Sequence, residues 1–188
     1  VTTMSSYPGG FGVSCFGAFD GYIEVTAAGG TGNYTFTLGG AGTGVQVQPG
    51  AVYRFTGLGS GAYTIDVSDA SGCSMSPTLN VTLTSPAAIT ASGAVTSNYS
   101  GSEVRCFGAS DGELTVTSGG GNGAYSYVLN EDLSNTTGDA NGIYTGLSSG
   151  SYTVQVTDIN GCNIVSNAYN VNEPLTVTAG TTMSSYPG

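Results

Sequence analysis

The sequence contains no lysine, histidine or tryptophan, and its two basic residues are Arg54 and Arg105. Without histidine, the chain has no imidazole to activate a nucleophile or to bind a metal. Without lysine, it has no Schiff base, no P-loop and no lysine–asparagine isopeptide cross-link. Twelve acidic residues give a formal net charge of −10, which makes nucleic acids and anionic membrane surfaces poor partners. No apolar run approaches the ~20 residues that a membrane-spanning helix needs, so we expect no membrane insertion.

Glycine and aromatic residues are abundant where charge is scarce. The 188 residues include 32 glycines, 12 tyrosines and 6 phenylalanines, and only 7% are charged. Disordered chains are usually highly charged and poor in aromatic residues. The mixture of Val, Thr, Tyr and Ile with Gly and Asn is instead typical of short strands joined by tight turns.

An internal repeat divides the chain in two. Residues 15–21 (Cys-Phe-Gly-Ala-Phe-Asp-Gly) return as residues 106–112 (Cys-Phe-Gly-Ala-Ser-Asp-Gly) at an offset of 91, and many residues of 57–73 return at an offset of 89. Self-similarity at a fixed period is the signature of a repeat protein. The sequence predicts two homologous modules, residues 1–91 and 92–179.

A longer repeat encloses the first. Residues 2–9 (Thr-Thr-Met-Ser-Ser-Tyr-Pro-Gly) are identical to residues 181–188, an offset of 179. The pair of modules is therefore predicted to be a unit of a tandem array, with residues 180–188 starting the next pair. No charged leader precedes an apolar stretch, and we expect the chain to be a segment from inside a longer polypeptide.

Alternating apolar and polar residues predict strands throughout, and no window shows a sustained helical period. The candidate strands of the first module are residues 12–16, 21–27, 33–38, 44–48, 52–56, 62–68, 74–75 and 79–84. About seven short strands in some 90 residues favour an all-β protein of two tandem immunoglobulin-like β-sandwich modules. A closed β-barrel is the alternative. Residues 81–96 predict a short, extended linker and modules arranged end to end.

Each module carries two cysteines at matched positions, which are Cys15 and Cys73, then Cys106 and Cys162. A zinc site is the alternative use of four cysteines, but their spacings of 58, 33 and 56 contain no C-x-x-C pair. We therefore expect one disulfide within each module, Cys15–Cys73 and Cys106–Cys162. Such bonds indicate an oxidising compartment outside the cytoplasm.

Four aspartates stand beside glycines at matched positions. Asp20 and Asp111 precede glycines that begin a strand, and Asp69 and Asp158 begin turns that end in the second cysteine. Capping of turns by accepting backbone N–H groups is the structural interpretation. The alternative is a Ca²⁺ site, although no D-x-D-x-D-G loop is present. A catalytic carboxylate pair, as in glycosidases, has no cleft to mark it, so we expect no enzyme and no cofactor.

Tyrosines recur where modules join. Tyr7, Tyr99 and Tyr186 occupy Ser-[Ser/Asn]-Tyr contexts at the predicted junctions and are expected to pack between neighbouring modules. Tyrosines at matched strand positions are expected in the core. A glycan-stacking surface is the alternative for these rings.

The repeated motif resembles a known family. Each module reads Cys-Phe-Gly-Ala-x-Asp-Gly and later Gly-x-Tyr-Thr-[Ile/Val]-x-Val-x-Asp-x-x-Gly-Cys, which is similar to the SprB-type repeat of large adhesins from gliding Bacteroidetes. The resemblance implies type IX secretion, extracellular cell-surface display, filaments of tandem repeats, and gliding motility. We expect a structural stalk repeat whose partners are neighbouring repeats and other filament chains. The alternative is a module that binds glycans or a surface through avidity.

Overall fold

Strands of three to ten residues make up the regular structure of this protein, for which a computed structural model describes residues 2–182. The strands are β1 (Thr2–Met4), β2 (Gly21–Thr26), β3 (Tyr34–Gly40), β4 (Gly44–Gln48), β5 (Val52–Leu58), β6 (Gly61–Ser68), β7 (Leu79–Leu83), β8 (Ala87–Val95), β9 (Gly112–Gly121), β10 (Ser126–Leu129), β11 (Ile143–Leu147), β12 (Gly150–Tyr152), β13 (Val154–Thr157), β14 (Asn163–Val165) and β15 (Tyr169–Val171). One short 3₁₀ turn, Pro8–Gly10, accompanies them. Within residues 2–182, no helix is long or apolar enough to cross a membrane. The all-β prediction is confirmed.

The first repeat is a sandwich of two sheets. One sheet has the strand order β1-β2-β5 and the other has the order β4-β3-β6-β7, with antiparallel pairing between the neighbours. Both sheets contribute to one buried core, which contains Ile23, Val25, Phe36, Leu38, Phe55, Leu58, Tyr63, Ile65, Val67 and Leu83. Burial of one face of each sheet drives this packing, as in immunoglobulin-like sandwiches.

The alternation that predicted strands also predicts the buried face. In β6, Tyr63, Ile65 and Val67 are buried, and the residues between them face outward. In β13, Val154 and Val156 are fully buried in the same way. Because successive side chains in a strand point to opposite faces, the period of two fixes which residues enter the core.

The strands of the second repeat form three sheets. Its sheets have the orders β11-β9-β8, β10-β13-β14 and β12-β15. Gly150 pairs with Val171 in the register in which Gly61 pairs with Leu83. Turns occupy residues 130–142, where the first repeat has β4.

Three segments differ from their sequence predictions, and one of them, residues 74–75, forms only an isolated bridge from Ser74 to Ser68. Residues 12–16 form bends instead of a strand, because the N–H groups of Gly12 and Val13 both donate to the Thr84 carbonyl and make no ladder. The predicted extended linker contains β8, which joins a sheet beside β9.

The described chain divides into two compact units. The first comprises the residues up to Thr90 together with Ser118–Tyr125 and Thr157–Ile164. The second comprises Ala91–Thr117, Ser126–Val156 and the residues from Val165 on. The first unit thus includes two short segments that belong to the second repeat by sequence. The module boundaries at residues 91 and 179 stay a prediction.

The two cysteines of the first repeat lie at opposite ends of its sandwich. Cys15 belongs to the loop before β2, which is fixed to Thr84 at the end of β7. Cys73 follows β6, whose first residue pairs with the last residue of β7. Eight residues of β6 therefore separate the two ends, a span of about 26 Å at ~3.3 Å per residue. A disulfide requires Cα atoms within roughly 4–7 Å.

The predicted intra-module disulfides, Cys15–Cys73 and Cys106–Cys162, are consequently wrong. Cys15 is bonded to Cys162, with their Cα atoms 5.7 Å apart. Cys73 and Cys106 are free and exposed. Both bonded cysteines lie in the first compact unit.

Candidate functional site

A polar turn positions Cys162. The Asp158 carboxylate accepts the N–H groups of Asn160 at 2.9 Å and Cys162 at 3.0 Å through Oδ1, and that of Asn122 at 2.9 Å through Oδ2. Gly161 has a φ of 83°, which favours glycine in the turn. Asp158 is only 5% exposed, so these donors and the carboxylate satisfy one another away from water. Residues 158–162 are called the Cys162 turn.

Two asparagine side chains join this turn to the start of the chain within the first unit. The Asn122 Nδ2 donates to the Pro8 carbonyl at 2.6 Å, and the Asn160 Nδ2 donates to the Ser14 carbonyl at 2.9 Å. Ser14 immediately precedes the bonded Cys15. These two hydrogen bonds and the disulfide together are called the disulfide contact.

An apolar cleft of about 460 Å³ lies beside the disulfide. Its lining includes the two bonded cysteines and apolar side chains, which are Cys15, Phe16, Pro86, Ile89, Cys162 and Ile164. The cleft shows that the disulfide contact has apolar as well as polar parts.

The loop that carries Cys15 is held by one aspartate. The Ser14 N–H donates to Asp20 Oδ1 at 3.0 Å, and the Ala18 N–H donates to the Cys15 carbonyl at 3.0 Å. Residues 14–20 are called the Cys15 loop.

The Cys106 loop, residues 105–111, has the same hydrogen bonds. The Arg105 N–H donates to Asp111 Oδ1 at 3.0 Å, and the Ala109 N–H donates to the Cys106 carbonyl at 3.0 Å. Cys106 is thus presented in the setting that holds the bonded Cys15, although its own thiol is free.

The Cys73 turn, residues 69–73, likewise copies the Cys162 turn. Asp69 Oδ1 accepts the N–H groups of Ser71 and Cys73, each at 2.9 Å, and Oδ2 accepts that of Thr31 at 3.0 Å. The hydroxyls of Thr31 and Ser71 are 2.8 Å apart and exposed. Here too the cysteine is free and exposed.

The four predicted calcium ligands are each engaged in their own loop or turn. Asp20 and Asp111 hold the loops, and Asp69 and Asp158 hold the turns. Residues 2–182 contain no group of three or more Cys, Asp or Glu side chains placed to hold a metal. The hydrogen bonds supply a structural role for these carboxylates.

The junction tyrosines make matched contacts near the loops. The Tyr7 hydroxyl donates to the Asp20 carbonyl at 3.2 Å, and the Tyr99 hydroxyl donates to the Asp111 carbonyl at 3.4 Å. Tyr186 lies outside the described residues. Packing of these three rings between modules stays a prediction.

Both arginines lie between a carboxylate and a tyrosine ring. Arg54 is 2.8 Å from Glu24 and 4.3 Å from the Tyr22 ring centroid. Arg105 is 3.6 Å from Asp111 and its guanidinium carbon is 5.1 Å from the Tyr99 ring centroid. The sequence's two basic side chains thus already have acidic partners.

Acid should weaken the Cys73 turn. The N–H groups of Cys73 and Thr31 hold the pKa of Asp69 below its ordinary value of 3.8. A carboxyl with a lowered folded pKa stabilises the fold above the unfolded pKa, and this stabilisation is lost as pH falls through the folded pKa. We expect the Tm to fall from about pH 4 downward, and Asp69→Asn to reduce that dependence.

Thermal melts at a series of acidic pH values check this prediction. Asp66→Asn makes the same change in net charge within β6 and is the matched control. An unaltered acid dependence in Asp69→Asn would contradict the proposed contribution of the turn.

The fold and the duplicated cysteine turns define an all-β protein with an internal repeat. Residues 13–43 and 98–133 match the SprB repeat family model, one match in each repeat. These two regions are therefore similar to the SprB repeat. No curated protein matches it.

Two solved structures show weak likeness. The C-terminal 282-residue fragment of intimin, in complex with the intimin-binding domain of the translocated intimin receptor, is 12% identical with a TM-score of 0.46. That match covers 81% of this chain, which spans 57% of the intimin structure. The fibronectin(III)-like modules of Clostridium thermocellum CbhA are 15% identical with a TM-score of 0.34, covering 97% of this chain and 100% of that one. At these scores neither likeness bears on fold or function.

Proposed function

We propose that this chain is a structural stalk repeat of a large cell-surface adhesin filament that serves surface adhesion and gliding motility. The observation that carries the proposal is repetition at two scales. Each half contains a SprB-type match, and residues 2–9 return as residues 181–188. Repetition extends a filament without a new active site, and nearest-neighbour contacts make its stability roughly additive.

The disulfide contact supports this role. The bond joins the first cysteine of the first repeat to the second cysteine of the second, so the two repeats are covalently linked at a second point. Each repeat has buried residues of its own on paired strands. A stalk needs both properties, because modules must stay folded and must remain joined.

The surface charge suits a filament that stays separate from its neighbours. The formal net charge is −10, and both arginines have carboxylate partners. Like charge keeps chains apart in solution. Neighbouring repeats of the same chain are the proposed partners, and the role requires no catalysis or cofactor.

Particle length tests the stalk role. Chains with two and four tandem copies of the 179-residue period are compared by small-angle X-ray scattering and electron microscopy. For a stalk, the maximum dimension should about double with copy number, because each pair of repeats adds a fixed length. A compact particle that grows only slowly with mass would overturn the proposal.

Location and motility need a cellular test. Antibodies against this chain should label the surface of intact source cells, and removal of tandem copies should shorten surface filaments and slow gliding. Shorter filaments with unchanged gliding would remove the motility part and leave the stalk role.

A further inference from the structure

We propose that Cys106 of one pair of repeats forms a disulfide with Cys73 of the next pair, so that every cysteine of the array is bonded. This inference rests on the tandem array proposed above. It assigns a role to the two free, exposed thiols of the described chain. Each free thiol is thus assigned one partner, a defined cysteine of a neighbouring copy.

The local structures around the free and bonded cysteines match. The Cys106 loop has the hydrogen bonds of the Cys15 loop, and the Cys73 turn has those of the Cys162 turn. Since a Cys15-type loop and a Cys162-type turn already form one disulfide here, the remaining loop and turn form a second complementary pair.

The length of chain between the two cysteines supports the same pairing. The offset of 179 places Cys73 of the next copy 146 residues after Cys106, since 73 plus 179 exceeds 106 by 146. The observed bond spans a sequence separation of 147 residues. The chain that closes the proposed bond is thus one residue shorter than the chain that closes the observed bond.

The polar groups of the disulfide contact also have counterparts. Thr31 and Ser71 occupy the positions of Asn122 and Asn160, at offsets of 91 and 89. Their hydroxyls are exposed and lie next to each other. One hydroxyl proton is used in the bond between them, so the pair can donate one further hydrogen bond, to a backbone carbonyl of the preceding copy such as that of Arg105.

Exposed apolar residues near the end of the second repeat provide a further contact for the next copy. Residues 174–177 correspond to residues 86–89 at an offset of 88, and Pro86 and Ile89 line the cleft beside the disulfide. Their counterparts include Val177, which is 100% exposed. Val177 therefore occupies the position that lines the cleft in the first repeat, and no described residue covers it.

A matched glycine leaves room for that valine. A Cβ atom at Gly121 would come within 2.7 Å of Ile89 Cγ1, so the close approach of these residues requires glycine. Gly30, at an offset of 91, is the counterpart of Gly121. We therefore expect Val177 to lie against Gly30 of the next copy.

The chemistry is ordinary disulfide formation. The Cys106 and Cys73 thiols lose two electrons and two protons as the S–S bond forms. A small-molecule disulfide such as oxidised glutathione accepts them and becomes two thiols. In the exchange form, the Cys106 thiolate attacks the Cys73 sulfur of a mixed disulfide, and the carrier thiolate leaves.

Thiol exchange between full chains tests the pairing. The Cys106→Ser chain retains Cys73, which is converted to a mixed disulfide with thionitrobenzoate. The Cys73→Ser chain supplies the free Cys106 thiol, and released thionitrobenzoate is followed by its absorbance. The two like pairings, Cys73 with Cys73 and Cys106 with Cys106, are measured in the same way and carry similar net charge.

We expect the unlike pairing to react about tenfold faster than either like pairing, because docking raises the effective thiol concentration. Peptide mapping should locate the new bond at Cys73 and Cys106. Equal rates for all three pairings, or a faster like pairing, would overturn the proposal.

A surface variant separates docking from thiol exposure. Val177→Glu in the chain that carries Cys106 should reduce the unlike rate to that of the like pairings. Leu133→Glu, at another exposed apolar position, is the matched control and should leave the rate unchanged. If Val177→Glu and Leu133→Glu give the same exchange rate, the proposed contribution of Val177 to docking is wrong. Extended multi-copy particles with equal exchange rates would overturn this inference alone and leave the stalk role intact.

Discussion

Removal of the Cys15–Cys162 bond by the double change Cys15→Ser and Cys162→Ser is expected to lower the free energy of unfolding by about 3–5 kcal/mol. The bond closes a loop across a sequence separation of 147 residues, and long loops lose the most entropy on cross-linking. It also holds the Cys162 turn in place for the hydrogen bonds to Pro8 and Ser14. Guanidinium unfolding measures the change.

The free thiols provide a matched control. Cys73→Ser with Cys106→Ser removes the same number of sulfur atoms from exposed positions, and should change stability by no more than about 0.5 kcal/mol. A reductant should destabilise this control variant and the unaltered chain equally, and should not affect the variant without Cys15 and Cys162. If the cysteines paired within modules, each double variant would lose both disulfides, so the two variants would be equally destabilised and a reductant would affect neither.

Asp158→Ala is expected to lower the free energy of unfolding by about 3–5 kcal/mol, since buried donors that lose their acceptor cost about 1–3 kcal/mol each. Three backbone N–H groups, those of Asn122, Asn160 and Cys162, depend on this carboxylate. The side chain is 5% exposed, so water does not easily replace it. Thermal and guanidinium unfolding measure the loss.

Asp69→Ala is the internal comparison for that change. Asp69 accepts the corresponding N–H groups in the Cys73 turn but is more exposed, so water can hydrate the released donors. We expect a clearly smaller decrease in Tm than for Asp158→Ala. Equal decreases would show that burial does not distinguish the two turns.

Local pattern predicted the strands because each strand has one buried face. The alternation in residues 63–67 and 152–156 identified β6 and β13 and their core residues before any coordinates were considered. The repeat offset then related β6 to β13 and predicted a second sandwich from the first. The strand predicted at residues 12–16 was wrong, because a buried Val13 near a phenylalanine is compatible with a bend as well as with a strand.

Cysteine pairing could not be obtained from spacing alone. Matched positions in each module suggested internal bonds, but the strand order places Cys15 and Cys73 at opposite ends of β6. Counting strand directions between the two cysteines is the signal that would have excluded the bond. Asn122 and Asn160 were also missed, because their partners Pro8 and Ser14 are more than a hundred residues away.

The bond between Cys15 and Cys162 changes the route by which a pull on the chain ends is transmitted. Tension crosses the sulfur atoms directly and bypasses the backbone between them, whose two cysteines are 147 positions apart. The backbone between the two cysteines would be roughly 500 Å long when extended at ~3.4 Å per residue, and this length is not available to stretching while the bond is intact. Cleavage of the bond by a reductant would make this length of backbone available, so redox conditions set how far each pair of repeats can stretch.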